Sequence, residues 1–406
     1  MTYNFDEIID RKGTNALNTD GFRGYIFHAG PEKEFPFADD EFIRMWVADM
    51  DFAVAPEIRQ AVKDRVDRLI LGYTKLFDSA YYDAFAGWCK AMYDWSFPRE
   101  HLATASGVVP AVYELLSILL KNDEKFLYHT PAYGMFRQAE KFTGRKALYT
   151  RLQRDGSGSF TVDFDDFARK AADPSVKLLI WCSPHNPTGR VWTAEELQKT
   201  ADIIHRNDLW VISDEIHCDL LRTGVRHLPL AKVMDGYKKI VTCTAASKTF
   251  NIAGLMLSNV LIPDRKLHAA FTARNINGLS VNPLSLAAAE AAYSQGGAWL
   301  KELRAYLDGN FRLLEETLHR ELPKIPFTLP QATYLAWVDF SPYLDCTEDL
   351  PDFFARNAGV LLEGGDSLFV DNAAGFARLN LAMPRSLLAE GLKRITEAVK
   401  AYKPKK

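Results

Sequence analysis

The chain of 406 residues is poor in cysteine. Its five cysteines (Cys89, Cys182, Cys218, Cys243 and Cys346) lie far apart and form no C-x-x-C pair. An odd, scattered set argues against a disulfide framework and for reduced thiols, as in a cytoplasmic protein. An excess of one charge is also lacking. Lys+Arg is 49 and Asp+Glu is 52, a net charge of −3, and without a clustered cationic surplus nucleic acid is not an expected partner. No 18 apolar residues run together, since the 254–262 stretch is interrupted by Ser258 and Asn259, so no membrane partner is expected either. The opening MTYNFDEIID carries three acids and no apolar segment, so no signal peptide is expected. Internal repeats, low-complexity linkers, a P-loop and a complete G-x-G-x-x-G are all missing, which removes repeat architectures and most nucleotide binding. His217 stands near Asp214 and Asp219, but no H-x-x-x-H or third ligand accompanies it, so no metal is expected.

What is present is globular: 48% hydrophobic and 25% charged residues. KLLIWCS (177–183), LWVIS (209–213) and KIVTCT (239–244) read as buried strands. Thr193 with Glu196 forms a capping box that opens a helix through TAEELQKTADIIHR. Strand, helix and strand at this spacing predict an α/β fold with a mostly parallel sheet sandwiched by helices. Long amphipathic helices follow from about residue 286, then short strands such as YLAWVDF and FARLNLA. A large domain is expected over 50–285. A smaller α+β domain would combine 1–49 with 286–406.

Ligands in such a sheet gather past the carboxyl ends of the strands. Three strand ends carry polar residues there: Asn186 in SPHNPTGR, Asp214 in DEIHCD, and Lys248 in AASKTFN. The separations, 214 − 186 = 28 and 248 − 214 = 34, each allow a crossover back to the same edge. An amide, a carboxylate and a lysine in one crevice suit pyridoxal 5′-phosphate. The lysine condenses with its aldehyde, the acid keeps the ring nitrogen protonated, and the amide serves the phenolic oxygen. The helix opening after Ser106-Gly107-Val108-Val109 offers free N–H groups for a phosphate.

The chain resembles the fold-type I pyridoxal-phosphate enzymes of the aminotransferase class I/II superfamily, and more narrowly the PatB/MalY-like cystathionine β-lyase/C-S lyase branch. The resemblance runs from RKGTNAL (11–17) and WVADMDF (46–52) through GYT (72–74), SGVVPA (106–111) and TPAYGMF (130–136). It continues in SPHNPTGRVWT (183–193), SDEIHCDL (213–220), SKTFNIAGL (247–255) and ARLNLAMPRS (377–386). It implies Lys248 as the cofactor lysine and Asp214 as partner of the ring nitrogen. Asn186 and His217 would stand near the phenolic oxygen, and Tyr133 would stack on the ring. Gly107, Val108, Val109 and Ser247 would contact the phosphate. Tyr73 would reach the phosphate of a neighbouring subunit, which implies a homodimer, and Arg378 would clamp the substrate α-carboxylate.

Several positions depart from the branch: Thr19 for a tryptophan, Ala245 for a hydroxyl residue, NPTG for NPVG, and LFVDN (368–372) for a glycine-bearing loop. With Ala245 in place, the phosphate would lean on Thr244, Ser247 or backbone. Plainer roles also exist. Lys248 could be a solvated lysine, Asp214 a strand-end cap, Tyr133 and Tyr73 packing residues, and Arg378 the partner of a buried acid. The expected activity is a carbon-sulfur β-lyase acting on L-cystathionine or related cysteine S-conjugates. The alternative is a class I/II aminotransferase, which uses the same lysine, aspartate and arginine. A cofactor-bearing protein without turnover is a third reading, but it has no need of a base.

Overall fold

A computed structural model describes residues 2–274, 280–347 and 349–403, the side chains at 366 and 367 excepted. A seven-stranded sheet runs in the order Leu102–Ala105, Ser258–Leu261, Ile240–Thr244, Trp210–Asp214, Val176–Cys182, Lys125–Thr130, Lys146–Arg151. The last five pair in parallel, and Ser258–Leu261 runs antiparallel to both its neighbours. Both faces of this sheet are covered, which explains its continuous apolar runs. Alternate residues of one strand feed opposite cores. Leu178 and Ile180 pack with the helices Val108–Leu119 and Arg265–Arg274, while Leu179 and Trp181 pack with Phe164–Ala171 and Ala194–Arg206. The helix Ala194–Arg206 opens on the Thr193/Glu196 capping box expected from the sequence.

A second sheet of four strands has the order Ile43–Met45, Val360–Gly364, Phe376–Asn380, Leu335–Asp339. Its core includes Leu350–Ala358, Arg385–Ala401 and the second half of the helix Gly297–Glu321. The first half of that helix, through Trp299, Leu303 and Tyr306, belongs instead to a core shared with Pro56–Val66, Ala80–Tyr93 and Pro283–Gln295. One helix therefore serves two cores.

Two short connections place the site between the sheets. Phe369 of Phe369–Val370 pairs with Tyr133 of Ala132–Tyr133. The segment 47–52 is pinned by two asparagines: Asn380 Nδ2 donates to the carbonyls of Val47 (2.8 Å) and Asp49 (2.5 Å). Asn251 Nδ2 donates to those of Met50 (3.0 Å) and Phe52 (2.9 Å). Six residues cannot drift far when four of their carbonyls are held in this way.

Candidate active site

Parallel register brings the three polar strand ends together. Asp214 closes its strand between Cys182 on one neighbour and Cys243 on the other. Asn186 follows in the loop after Val176–Cys182, and Lys248 lies in the short helix Ala246–Thr249 after Ile240–Thr244. All three line one cavity of about 220 Å³. Gly107, Val108, Val109, Tyr133, His217, Ser247 and Arg378 line it too, so of the residues given a role by the resemblance only Tyr73 and the alternative phosphate contact Thr244 are not there. Tyr73 is fully exposed elsewhere on the chain. A larger recess of about 660 Å³ lies beneath the N-terminal arm and is lined by none of these residues.

Each group carries the mark of its surroundings. Lys248 is half-buried and lines the cavity, and its Nζ donates to the carbonyl of Ala48 at 2.6 Å. Burial lowers its pKa, against the attraction of Asp49, which favours the charged amine. Asp214 is 7% exposed and is pushed up to about 6, chiefly by burial, despite the Ile216 N–H on its Oδ1 at 3.2 Å. His217 is buried and held neutral: burial, with the positive charges of Lys248 and Arg378, lowers it to about 3. Its Nδ1 is buried without a partner, and its ring stands edge-on to Tyr334 at 6.4 Å. Arg378 Nη1 donates to Asn186 Oδ1 at 3.2 Å, which ties the amide loop to the four-stranded sheet. Burial, then the nearby Tyr25 and Glu363, raise the Tyr133 phenol.

The residues fit pyridoxal phosphate on three observations. An amine of depressed pKa and a buried carboxylate of raised pKa, hydrogen-bonded by a backbone N–H, share the cavity. A neutral imidazole shows an unsatisfied ring nitrogen there. The helix Val108–Leu119 opens onto the cavity with no side chain capping it, and its third residue, Pro110, has no N–H to leave unpaired. One expectation changes. Thr244 does not line the cavity, because its hydroxyl turns toward Cys218 Sγ at 3.6 Å. Ser247 and the helix backbone remain to take a phosphate.

The family whose pattern this chain matches is Aminotransferase class I and II, over residues 40–395. The chain belongs to that family. Among curated proteins it is 38% identical to cystathionine beta-lyase PatB of Bacillus subtilis, over 98% of this chain and 100% of PatB. Among solved structures it is similar to the PLP-bound C-S lyase of Staphylococcus hominis (TM-score 0.92, 44% identity, 98% of each chain). It is also similar to cystalysin of Treponema denticola, whose crystals contain pyridoxal 5′-phosphate (TM-score 0.90, 32% identity, 98% of this chain and 99% of that one).

Within this member of the class I and II family, three groups near Lys248 escaped the sequence reading. Glu363 ion-pairs with Arg378 and is buried. Tyr25, from the helix Phe22–Phe27, hydrogen-bonds Tyr133 and packs against Trp46 at 5.2 Å. Asp49 is held by Arg11 Nη2 at 2.6 Å. Only Glu363 left a signal, as a lone acid closing the apolar run VLLEG. Arg378 is thus the partner of a buried acid, the plainer reading of it, and it also lines the cavity.

Proposed function

We propose that this chain is a pyridoxal-phosphate-dependent carbon-sulfur β-lyase. It cleaves L-cystathionine or related cysteine S-conjugates to a thiol, pyruvate and ammonia. The observation that carries the reading is the meeting of Lys248, Asp214 and Arg378 in one small cavity. The relatives named above support it as a group.

Bound there, pyridoxal phosphate supplies an aldehyde for the substrate amine and a ring that draws electrons from the α-carbon. Asp214 would hold the proton on the ring nitrogen, and Asn186 and His217 would serve the phenolic oxygen. Val108, Val109 and Ser247 would hold the phosphate, with Gly107 at the turn, and Tyr133 would cover the ring. Arg378 binds the α-carboxylate and so fixes which substituent of the α-carbon faces the lysine. Lys248, neutral at the lowered pKa that burial gives it, takes the α-proton at Nζ. The carbon-sulfur bond then breaks, its electron pair leaves on sulfur, and Lys248 or a catalytic tyrosine, Tyr133 or Tyr73, returns a proton to the thiolate. Water hydrolyses the three-carbon remainder to pyruvate and ammonia.

Tyr73 belongs to the proposal through a second copy of the chain. It stands wholly exposed beside Leu69 (88% exposed), Ile70 (75%) and Phe77 (85%), an apolar strip that a homodimer would cover. Tyr73 would then serve the partner's cavity. The reducing cytoplasm suits the five free cysteines, and among the described residues no helix is long and apolar enough to cross a membrane.

Incubation with L-cystathionine and no keto acid tests the reading. Pyruvate and free thiol are expected in equal amounts. Strict dependence on an added keto acid would assign the chain to amino transfer instead.

A further inference from the structure

Glu363 and Arg378 are directly opposed residues of adjacent antiparallel strands, so both side chains leave the sheet on one face. Their exposures are 2% and 1%. Arg378 Nη2 donates to Glu363 Oε2, Nη1 donates to Asn186, and Nε is buried with no partner. The guanidinium also lies over the Phe369 ring at 5.2 Å. Arg378 lines the cavity and Glu363 does not, so the acid backs the cation from behind. An anion clamp with a fixed carboxylate behind it is an odd design if tight anion binding is its purpose. Part of its positive potential is already cancelled by that carboxylate.

We propose that Glu363 is a positioning residue that orients Arg378 and holds the anion affinity of the pocket low. Molecules with both an α-carboxylate and an α-amine are retained, because the amine adds its own bond. Carboxylates without the amine are released, among them the keto acid that elimination yields. The inference rests on the reading of Arg378 as the carboxylate clamp.

Calorimetric titration of propionate into cofactor-loaded wild type, E363Q, E363D and R378A separates the two ideas. A charge this near shifts a neighbour's ionic equilibrium by one or more decades. E363Q should therefore bind propionate about tenfold more tightly, with KM for L-cystathionine falling more than kcat changes. E363D, which keeps the charge, should stay within about twofold of wild type. R378A should lose propionate binding. A purely structural role for Glu363 predicts the reverse, weaker binding in E363Q. Equal or weaker propionate binding by E363Q, with binding abolished in R378A, overturns the proposal and leaves the clamp intact. Propionate binding that survives in R378A, or is absent from wild type, overturns the clamp and the proposal with it. Should E363Q not fold, Glu363→Met, uncharged and of similar volume, is judged by the same outcomes.

Discussion

Lys248 Nζ rests 2.6 Å from the carbonyl oxygen of Ala48, a residue two hundred positions earlier in the chain. The amine is thereby parked at the rim of the cavity by backbone that Asn251 and Asn380 hold rigid. On the proposed reading, Lys248→Ala removes both the anchor of the cofactor and the base. Turnover should fall by about 10³-fold or more, and the visible absorbance of the bound cofactor should disappear. Persistence of both would refute the assignment of Lys248.

Asp214 gives a pH dependence of defined sign. Its folded pKa is about 6 against an ordinary 3.8, so between those values the cofactor-free folded state holds more protons than the unfolded chain. Stability from this residue is therefore present at low pH and declines as pH rises through that window. A ring cation paired with the carboxylate removes the penalty. Melting temperatures of cofactor-free and loaded protein should diverge between about pH 4 and 6, the loaded form gaining with rising pH. Parallel curves would mean that Asp214 and the cofactor do not meet.

Asp219 is a structural acid two residues beyond His217. It accepts from Trp88 Nε1 (2.9 Å), Thr249 Oγ1 (2.9 Å) and the Tyr93 hydroxyl, all buried together. Asp219→Ala orphans three donors at once and should cost about 3–5 kcal/mol, read as a lower urea midpoint. Asp219→Asn, which can still accept, should recover part of that loss.

Tyr73 and Lys248 can be separated onto different subunits. If Tyr73 completes its partner's site, mixing Tyr73→Ala with Lys248→Ala should create hybrid dimers with one intact site each. Activity should return to about a quarter of wild type. No recovery on mixing, with dimers demonstrated by sedimentation, would confine Tyr73 to its own subunit.

The parallel strands and their terminal residues were legible because burial on both faces leaves unbroken apolar runs, and because function puts polar residues just past them. Ser258–Leu261 was not legible as a strand. Its polar Asn259 is satisfied only in three dimensions, by Tyr81 at 2.7 Å and Tyr293 at 2.9 Å, so the sequence looks interrupted where the fold is continuous. Tyr25 was hidden for a related reason. It lies in the arm between the motifs at 11–17 and 46–52, and only the packing on Trp46 and Tyr133 brings it to the site. Glu363 left a trace, a carboxylate where a strand should be apolar, but its partner fifteen residues away could be identified only from the register.

The helix Gly297–Glu321 gives Trp299 and Leu303 to one interior and Leu314 and Leu318 to the other. A rod shared by two interiors ties their fates. Fraying that frees its first turns also loosens the packing around its last ones, so the chain should come apart under heat as a single event, with no half-folded survivor for a protease to find.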